Sequence, residues 1–177
     1  MKHVILSFSV VFTLLFAQRA IAQGGAYDFF NVGVGASGWG IPIYAGADIT
    51  VAKNITAGAM VSAQRKVQRT GWLNNDLRWV HTIIGISGNA NYHFLEPGDE
   101  FDVYAGANIG YYFWNTKLRE TVPGYNGVYE GSGSGGFGVG LQVGGRYKLD
   151  NGIILNGEFG GGTVFSSGRI GVSFPLK

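Results

Sequence analysis

The sequence predicts an all-β protein, an eight-stranded antiparallel up-and-down transmembrane β-barrel. Apolar residues alternate with small or polar ones through eight stretches of about ten residues, the period of a strand with one greasy face. After the N-terminus no stretch approaches the roughly 18 unbroken apolar residues of a membrane helix. The face opposite the apolar one is Gly, Asn, Asp and Arg, a poor lining for an apolar pocket in a soluble barrel and a good one for a polar bore.

Residues 1–22 read as a signal peptide, with Lys2 at the positive start, an apolar run over 4–17 and Ala20-Ile21-Ala22 as the cleavage pattern. The remaining 23–177 form one barrel domain, since eight strands of about 11 residues plus turns use most of that length. With Lys2 and Arg19 gone, 11 of the 13 basic residues face 11 acidic ones. A neutral chain gives no electrostatic support for nucleic-acid binding. There is no Cys, so stability must come from strand closure and packing rather than disulfides. Glycine numbers 31 although it weakens ordinary strands, so the fold must use it.

The strands are expected in order. Residues 27–36 carry Val32 and Val34 on one face; 43–51 carry Ile43, Ala45, Ala47 and Ile49; 55–64 carry Ile55, Ala57, Ala59 and Val61; 79–94 carry Ile84 and Ile86. The fifth, 101–118, is the clearest: Phe101, Val103, Ala105, Ala107, Ile109, Tyr111 and Phe113 alternate with Asp102, Tyr104, Gly106, Asn108, Gly110, Tyr112 and Trp114. The sixth, 135–149, sets Val139, Leu141 and Val143 among glycines; 152–164 and the closing strand 169–176 complete the wall. Residues 52–54, 95–100 and 150–151 read as tight turns at one end, and 65–78 and 119–134 as long loops at the other. Aromatics fall near the strand ends: Phe113, Phe137 and Phe165 toward the loops, and Phe30, Tyr92, Phe94, Phe101, Tyr147 and Phe174 toward the turns. Such rings suit two lipid–water interfaces.

Parity assigns a polar network to the bore: Asp48, Asp102, Gln142, Arg146, Lys148 and Glu158, with Tyr44, Tyr104 and Asn156 beside it. Charges inside so narrow a barrel must be paired or hydrated, and Arg146 is expected to face Glu158 on the next strand, plugging the lumen. His81 and His93 lie twelve residues apart on one strand, roughly 40 Å, so they do not make a metal site, and no cofactor is expected. Gly33-Val34-Gly35-Ala36-Ser37-Gly38 has the letters of a dinucleotide fingerprint but no helix pattern follows. The first long loop holds Arg65, Lys66, Arg69, Trp72 and Arg78 as contacts for an outer partner, whereas the opposite turns hold Glu96, Asp99, Glu100 and Asp150 against Lys53.

The strand pattern, the run Gly135-Gly136-Phe137-Gly138-Val139-Gly140-Leu141 and the closing Arg169-Ile170-Gly171-Val172-Ser173-Phe174 resemble the small eight-stranded outer-membrane barrels of the OmpA/OmpX type over nearly the whole mature length. Such families usually end on an aromatic residue, whereas here Pro175-Leu176-Lys177 follows Phe174. The expected protein is a monomeric bacterial outer-membrane protein with a structural or surface-interaction role. Strands 79–94, 101–118 and 135–149 exceed the roughly 9–11 residues of a crossing, so one side of the wall projects outward, and the resemblance implies that this sheet presents edges to partner strands. Expected partners are outer-membrane lipid including lipopolysaccharide, whose phosphates suit a basic collar, and a surface protein or carbohydrate. The alternatives are a narrow channel for small solutes or ions, a lipid A-modifying enzyme using His81 with Ser87 or His93 with Glu96, and a soluble lipocalin-like binder.

Overall fold

The computed structural model describes residues 28–72, 75–95, 99–122, 125–162 and 167–176. Residues 1–22, expected as a signal peptide, and Tyr27, Glu96, Phe165 and Lys177 lie outside them. The described residues form one closed barrel in which every strand pairs antiparallel with its sequence neighbours and the last pairs with the first. The strands are β1 Asp28–Ser37, β2 Ile43–Ala52, β3 Ile55–Trp72, β4 Asn75–His93, β5 Phe101–Val122, β6 Tyr125–Lys148, β7 Ile154–Gly162 and β8 Ser167–Leu176. No helix among the described residues is long and apolar enough to cross a membrane.

The alternation read from the sequence sorts side chains onto two faces. Ile43, Val61, Ile84, Ile109, Val139, Leu141 and Val143 point outward and are exposed, Leu141 at 71%. Asp48, Asn91, His93, Asp102, Asn108, Gln142 and Arg146 point into the bore and are buried. Phe30, Tyr92, Phe94, Phe101, Tyr147 and Phe174 ring the turn end, and Phe113 and Phe137 mark the other, all exposed. From Phe101 to Phe113 is about 40 Å along the strand, or about 30 Å of height at a tilt near 40°, close to the thickness of a hydrocarbon core.

The wall is uneven, and here the structure corrects the sequence reading. Residues 65–78 and 119–134 are not long loops. Pairing of β3 with β4 continues to Trp72↔Asn75, and of β5 with β6 to Val122↔Tyr125. β4 and β5 stay paired up to Asp76↔Thr121, so four strands rise together as one sheet. Beyond the wall both faces of a strand are wet, so the apolar–polar alternation that marks a half-buried strand disappears while the backbone ladder persists. An extra residue in β6 opposite Asn115 and Lys117 breaks the register once. β2 leaves β3 at Ala63 and β7 leaves β6 at Gly140, so among the described residues 64–72 pair only with β4 and 125–139 only with β5, each an edge of the projecting sheet. β7 is also shorter than the expected 152–164, because 150–153 form the turn: Gly152 takes a φ of 84° and its N–H donates to the Leu149 carbonyl at 2.9 Å.

Glycine finds its use on the inner face. Three inward tyrosines each lie flat over the residue directly across the ladder: Tyr44 over Gly33, Tyr104 over Gly144 and Tyr112 over Gly85. A Cβ at Gly33 would come within 2.6 Å of the Tyr44 hydroxyl, and one at Gly171 within 2.5 Å of it. Large rings therefore fit a narrow bore only because their cross-strand partners have no side chain.

Candidate functional site

The bore holds three hydrogen-bonded clusters to which, together, every strand contributes. At the turn end His93 of β4, fully buried, sets Nδ1 2.7 Å from Asp102 Oδ2 on β5 and Nε2 2.9 Å from Thr56 Oγ1 on β3. Above it Arg146 of β6 donates to Asp48 of β2 at 2.5 Å, reaching across the bore. Asp48 also accepts from Asn31 at 2.9 Å and Asn89 at 3.2 Å. Only one guanidinium edge of Arg146 is engaged by the carboxylate; its faces lie 4.8 Å from the Phe29 ring and 5.1 Å from Tyr104, so aromatic quadrupoles stabilise the rest of the cation. Asn31 accepts from Ser173, Ser173 from Asn156, and the Asn156 carbonyl from Tyr44, which ties β1, β8, β7 and β2 in a ring.

A second ion pair joins Arg169 of β8 to Glu158 of β7, and Glu158 also accepts from the Tyr104 hydroxyl at 3.1 Å. Gln142 extends this cluster to β5 and β4: its carbonyl accepts from Asn108 at 2.8 Å and from Arg169 at 3.3 Å, and its amide donates to Asn91 at 2.7 Å. Between the two ion pairs remains a cavity of about 40 Å³ lined by Asn31, Asp48, Asn89, Arg146, Glu158 and Arg169 among others. That is room for a few waters.

The structure places Asp102 in the first of these clusters, Asp48 and Arg146 in the second and Glu158 and Gln142 in the third, and leaves out Lys148, which is exposed at the turn rim. The expected Arg146–Glu158 pairing is not made. In the β6–β7 ladder Arg146 lies opposite Asn156, and Glu158 opposite Gly144; each charge pairs elsewhere, Arg146 across the bore and Glu158 along the β7–β8 ladder with Arg169. Arg169 was legible in parity with Gly171 and Ser173 on the closing strand, and Asn89 and Asn91 by parity with His93. His81 sits far above, its Nδ1 3.0 Å from Thr116 Oγ1 and its ring edge-on to Trp39. Among the described residues no group of three His, Cys, Asp or Glu could hold a metal.

The basic residues expected on a loop stand on strands instead. Arg65, Lys66 and Arg69 belong to the β3 extension and Arg78 to β4; Trp72 ends β3, with its side chain outside the described residues. Lys66 is on the inner face, where its Nζ donates to the Gly38 carbonyl at 2.9 Å and lies 5.6 Å from the Trp39 ring. It holds the β1–β2 turn against the base of the projecting sheet, helped by the Ser37 hydroxyl, which donates to Gln64 at 2.8 Å.

No protein-family model matches the sequence, and no curated protein sequence matches it. Solved structures match its fold. The attachment invasion locus protein Ail of Yersinia pestis aligns over 85% of this chain and 97% of its own, with a TM-score of 0.50 and 6% identity. The same protein in complex with the heparin analogue sucrose octasulfate aligns over the same shares at a TM-score of 0.51 and 5% identity. The N-terminal β-barrel domain of Pseudomonas aeruginosa OprF aligns over 85% of this chain and 97% of its own, with a TM-score of 0.48 and 11% identity. The architecture is that of the small eight-stranded outer-membrane barrels, as the sequence resemblance implies.

Proposed function

We propose that this protein is an integral protein of the bacterial outer membrane, exported by a cleaved signal peptide, monomeric, with a closed bore and a structural or surface-interaction role. The projecting sheet carries the reading: four strands of 18 to 24 residues stand on a wall whose other strands have 9 or 10. A wall strand of ten residues is enough to cross a bilayer, so the excess length lies outside it. Among the described residues it offers two edges without a further strand for strand addition and an inner face on which Trp79 and Trp114 are 39% and 38% exposed. Exposed indoles suit a protein or carbohydrate partner, in keeping with the complex of Ail with a heparin analogue.

The bore contacts support a plug rather than a channel, because the Arg146–Asp48 pair crosses the bore and the Glu158–Arg169 pair with Gln142 fills it beside that crossing. They also support a role other than lipid A chemistry: His93 is buried inside the barrel, away from the lipid face. Refolded protein in planar bilayers should stay silent, and cysteines placed at the exposed positions 68 and 133 of the projecting sheet should react with a membrane-impermeant maleimide on intact cells. Steady conductance abolished or enlarged by Arg146→Ala would establish the channel instead; cysteines on the projecting sheet protected in intact cells would reverse the orientation.

A further inference from the structure

The sequence holds three Asn-Gly pairs, Asn126-Gly127, Asn151-Gly152 and Asn156-Gly157. Such a pair carries its own reaction, because the glycine nitrogen, with no Cβ beside it, can attack the side-chain carbonyl of the preceding asparagine. Attack needs that side chain folded back over its own C-terminal peptide, so the local backbone decides which pair reacts. The fold treats the three differently. Asn126 and Gly127 lie in the β5–β6 ladder, opposite Thr121 and Glu120. Asn156 and Gly157 lie inside β7, paired with Arg146 and Gly145 on one side and with Gly171 and Ile170 on the other. The Asn156 side chain is also pinned in the bore, its amide donating to Ser173 at 2.6 Å and its carbonyl accepting from Tyr44 at 2.9 Å. In an extended strand the side chain stands off the sheet rather than over the next peptide, so neither pair is set up to react.

Asn151, by contrast, is exposed in the turn that joins β6 to β7. Its Oδ1 accepts from the Ile153 N–H at 3.0 Å, an Asx-turn whose hydrogen-bonded ring encloses the peptide between Asn151 and Gly152. The Gly152 nitrogen therefore belongs to the same ring that holds the Asn151 carboxamide. The Ile153 N–H polarises the side-chain carbonyl and is placed to stabilise the oxyanion that attack creates on it. Gly152 takes a φ of 84°, a conformation that suits glycine, and its own N–H donates to the Leu149 carbonyl at 2.9 Å, which fixes the turn. We infer that Asn151 is a modification site of the folded barrel, converting through a succinimide to aspartate and isoaspartate.

In the first step the Gly152 N–H proton goes to solvent base, the nitrogen bonds to Asn151 Cγ, the Cγ–Nδ2 bond breaks, and ammonia departs with a proton taken from water. A water then opens the ring at either carbonyl, so that overall one water replaces one ammonia. The product sets a new carboxylate beside the exposed Asp150, at the end of the barrel whose turns already carry Asp99 and Glu100. Isoaspartate also adds a methylene to the main chain of the turn. The chemistry does not depend on what the projecting sheet binds.

The test ages the mature protein, refolded in detergent, in mildly alkaline buffer beside the same protein unfolded in urea. Tryptic peptides are then sequenced by mass spectrometry, with electron-transfer fragmentation to tell aspartate from isoaspartate. In the folded barrel Asn151 should convert about tenfold or more faster than Asn126 and Asn156. In urea, where no turn or strand exists, the three should converge. Asn151→Gln should leave the heat-modifiable band of the folded barrel in place and remove the conversion at that position. Conversion of Asn151 no faster than that of the other two in the barrel overturns the inference, because the turn then shields the pair. So does an equal excess at Asn151 in urea, which would credit the neighbouring sequence rather than the turn.

Discussion

Asp48 is the point at which the network should break most completely. Its carboxylate is 4% exposed and accepts from Arg146, Asn31 and Asn89, three strands other than its own. Asp48→Asn keeps the volume but leaves the guanidinium of Arg146, 5% exposed, without its counter-ion. Removing one partner of a buried pair costs about 3–5 kcal/mol. Arg146→Gln should cost less, about 2–3 kcal/mol, because two amide donors still hold Asp48. The double variant Asp48→Asn/Arg146→Gln should lose only about 1 kcal/mol, since replacing both members of a buried pair is often neutral. The cycle then yields a coupling of about 3 kcal/mol or more. Urea unfolding of protein refolded in detergent, followed by tryptophan fluorescence and by the heat-modifiable band on gels, measures each term. A cost for Asp48→Asn below about 1 kcal/mol, or a double variant as unstable as the sum of the singles, would show that water already compensates Arg146.

Three other outcomes follow from particular contacts. Gly33→Val should lose about 1–3 kcal/mol or fail to refold, because its side chain would enter the space of Tyr44 and the β8 backbone, whereas Gly157→Ala, with nothing near its Cβ, should be neutral or slightly stabilising in the same urea titration. His93→Ala should cost about 3 kcal/mol by leaving Asp102 and Thr56 buried without their shared partner, and Asp102→Asn should cost less because an amide oxygen still accepts. Deleting 67–78 and closing the hairpin with a two-residue turn should leave refolding and thermal stability of the wall nearly unchanged, since β2 pairs with β3 only as far as Ala63; a collapse of the barrel would show that the projecting sheet is structural.

What could be read from the chain depended on which faces differ. In β5 the alternation from Phe101 to Trp114 held residue by residue, because lipid-side and bore-side positions demand opposite chemistry. Above Trp114 no such contrast exists, and residues such as Arg65, Val67 and Arg69 read as loop while forming ordered strand. Partners across the bore were illegible for another reason. A hairpin register can be estimated from its turn, but Arg146 meets Asp48 across the bore, ninety-eight residues earlier in the chain. That contact exists only once the barrel closes.

The distribution of polar and apolar groups also says which solvent the fold requires. Only Phe29, Val80, Tyr104, Tyr112 and Ile154 are buried hydrophobics among the described residues, whereas Phe137, Leu141, Phe159 and Ile170 are each two-thirds or more exposed. In water such a chain would gain little by closing, because the apolar area it must hide lies on the outside. Placed in lipid, the same outer face is satisfied, the backbone of the eight-stranded wall is paired by closure, and the remaining problem is the polar interior. There a low-dielectric wall strengthens each hydrogen bond and makes each missing one costly, which accounts for carboxylates, guanidiniums and amides matched across all eight strands. Stability of the barrel is then set by complementarity inside rather than by greasiness outside, and its contacts with partners are left to the part of the sheet that neither solvent constrains.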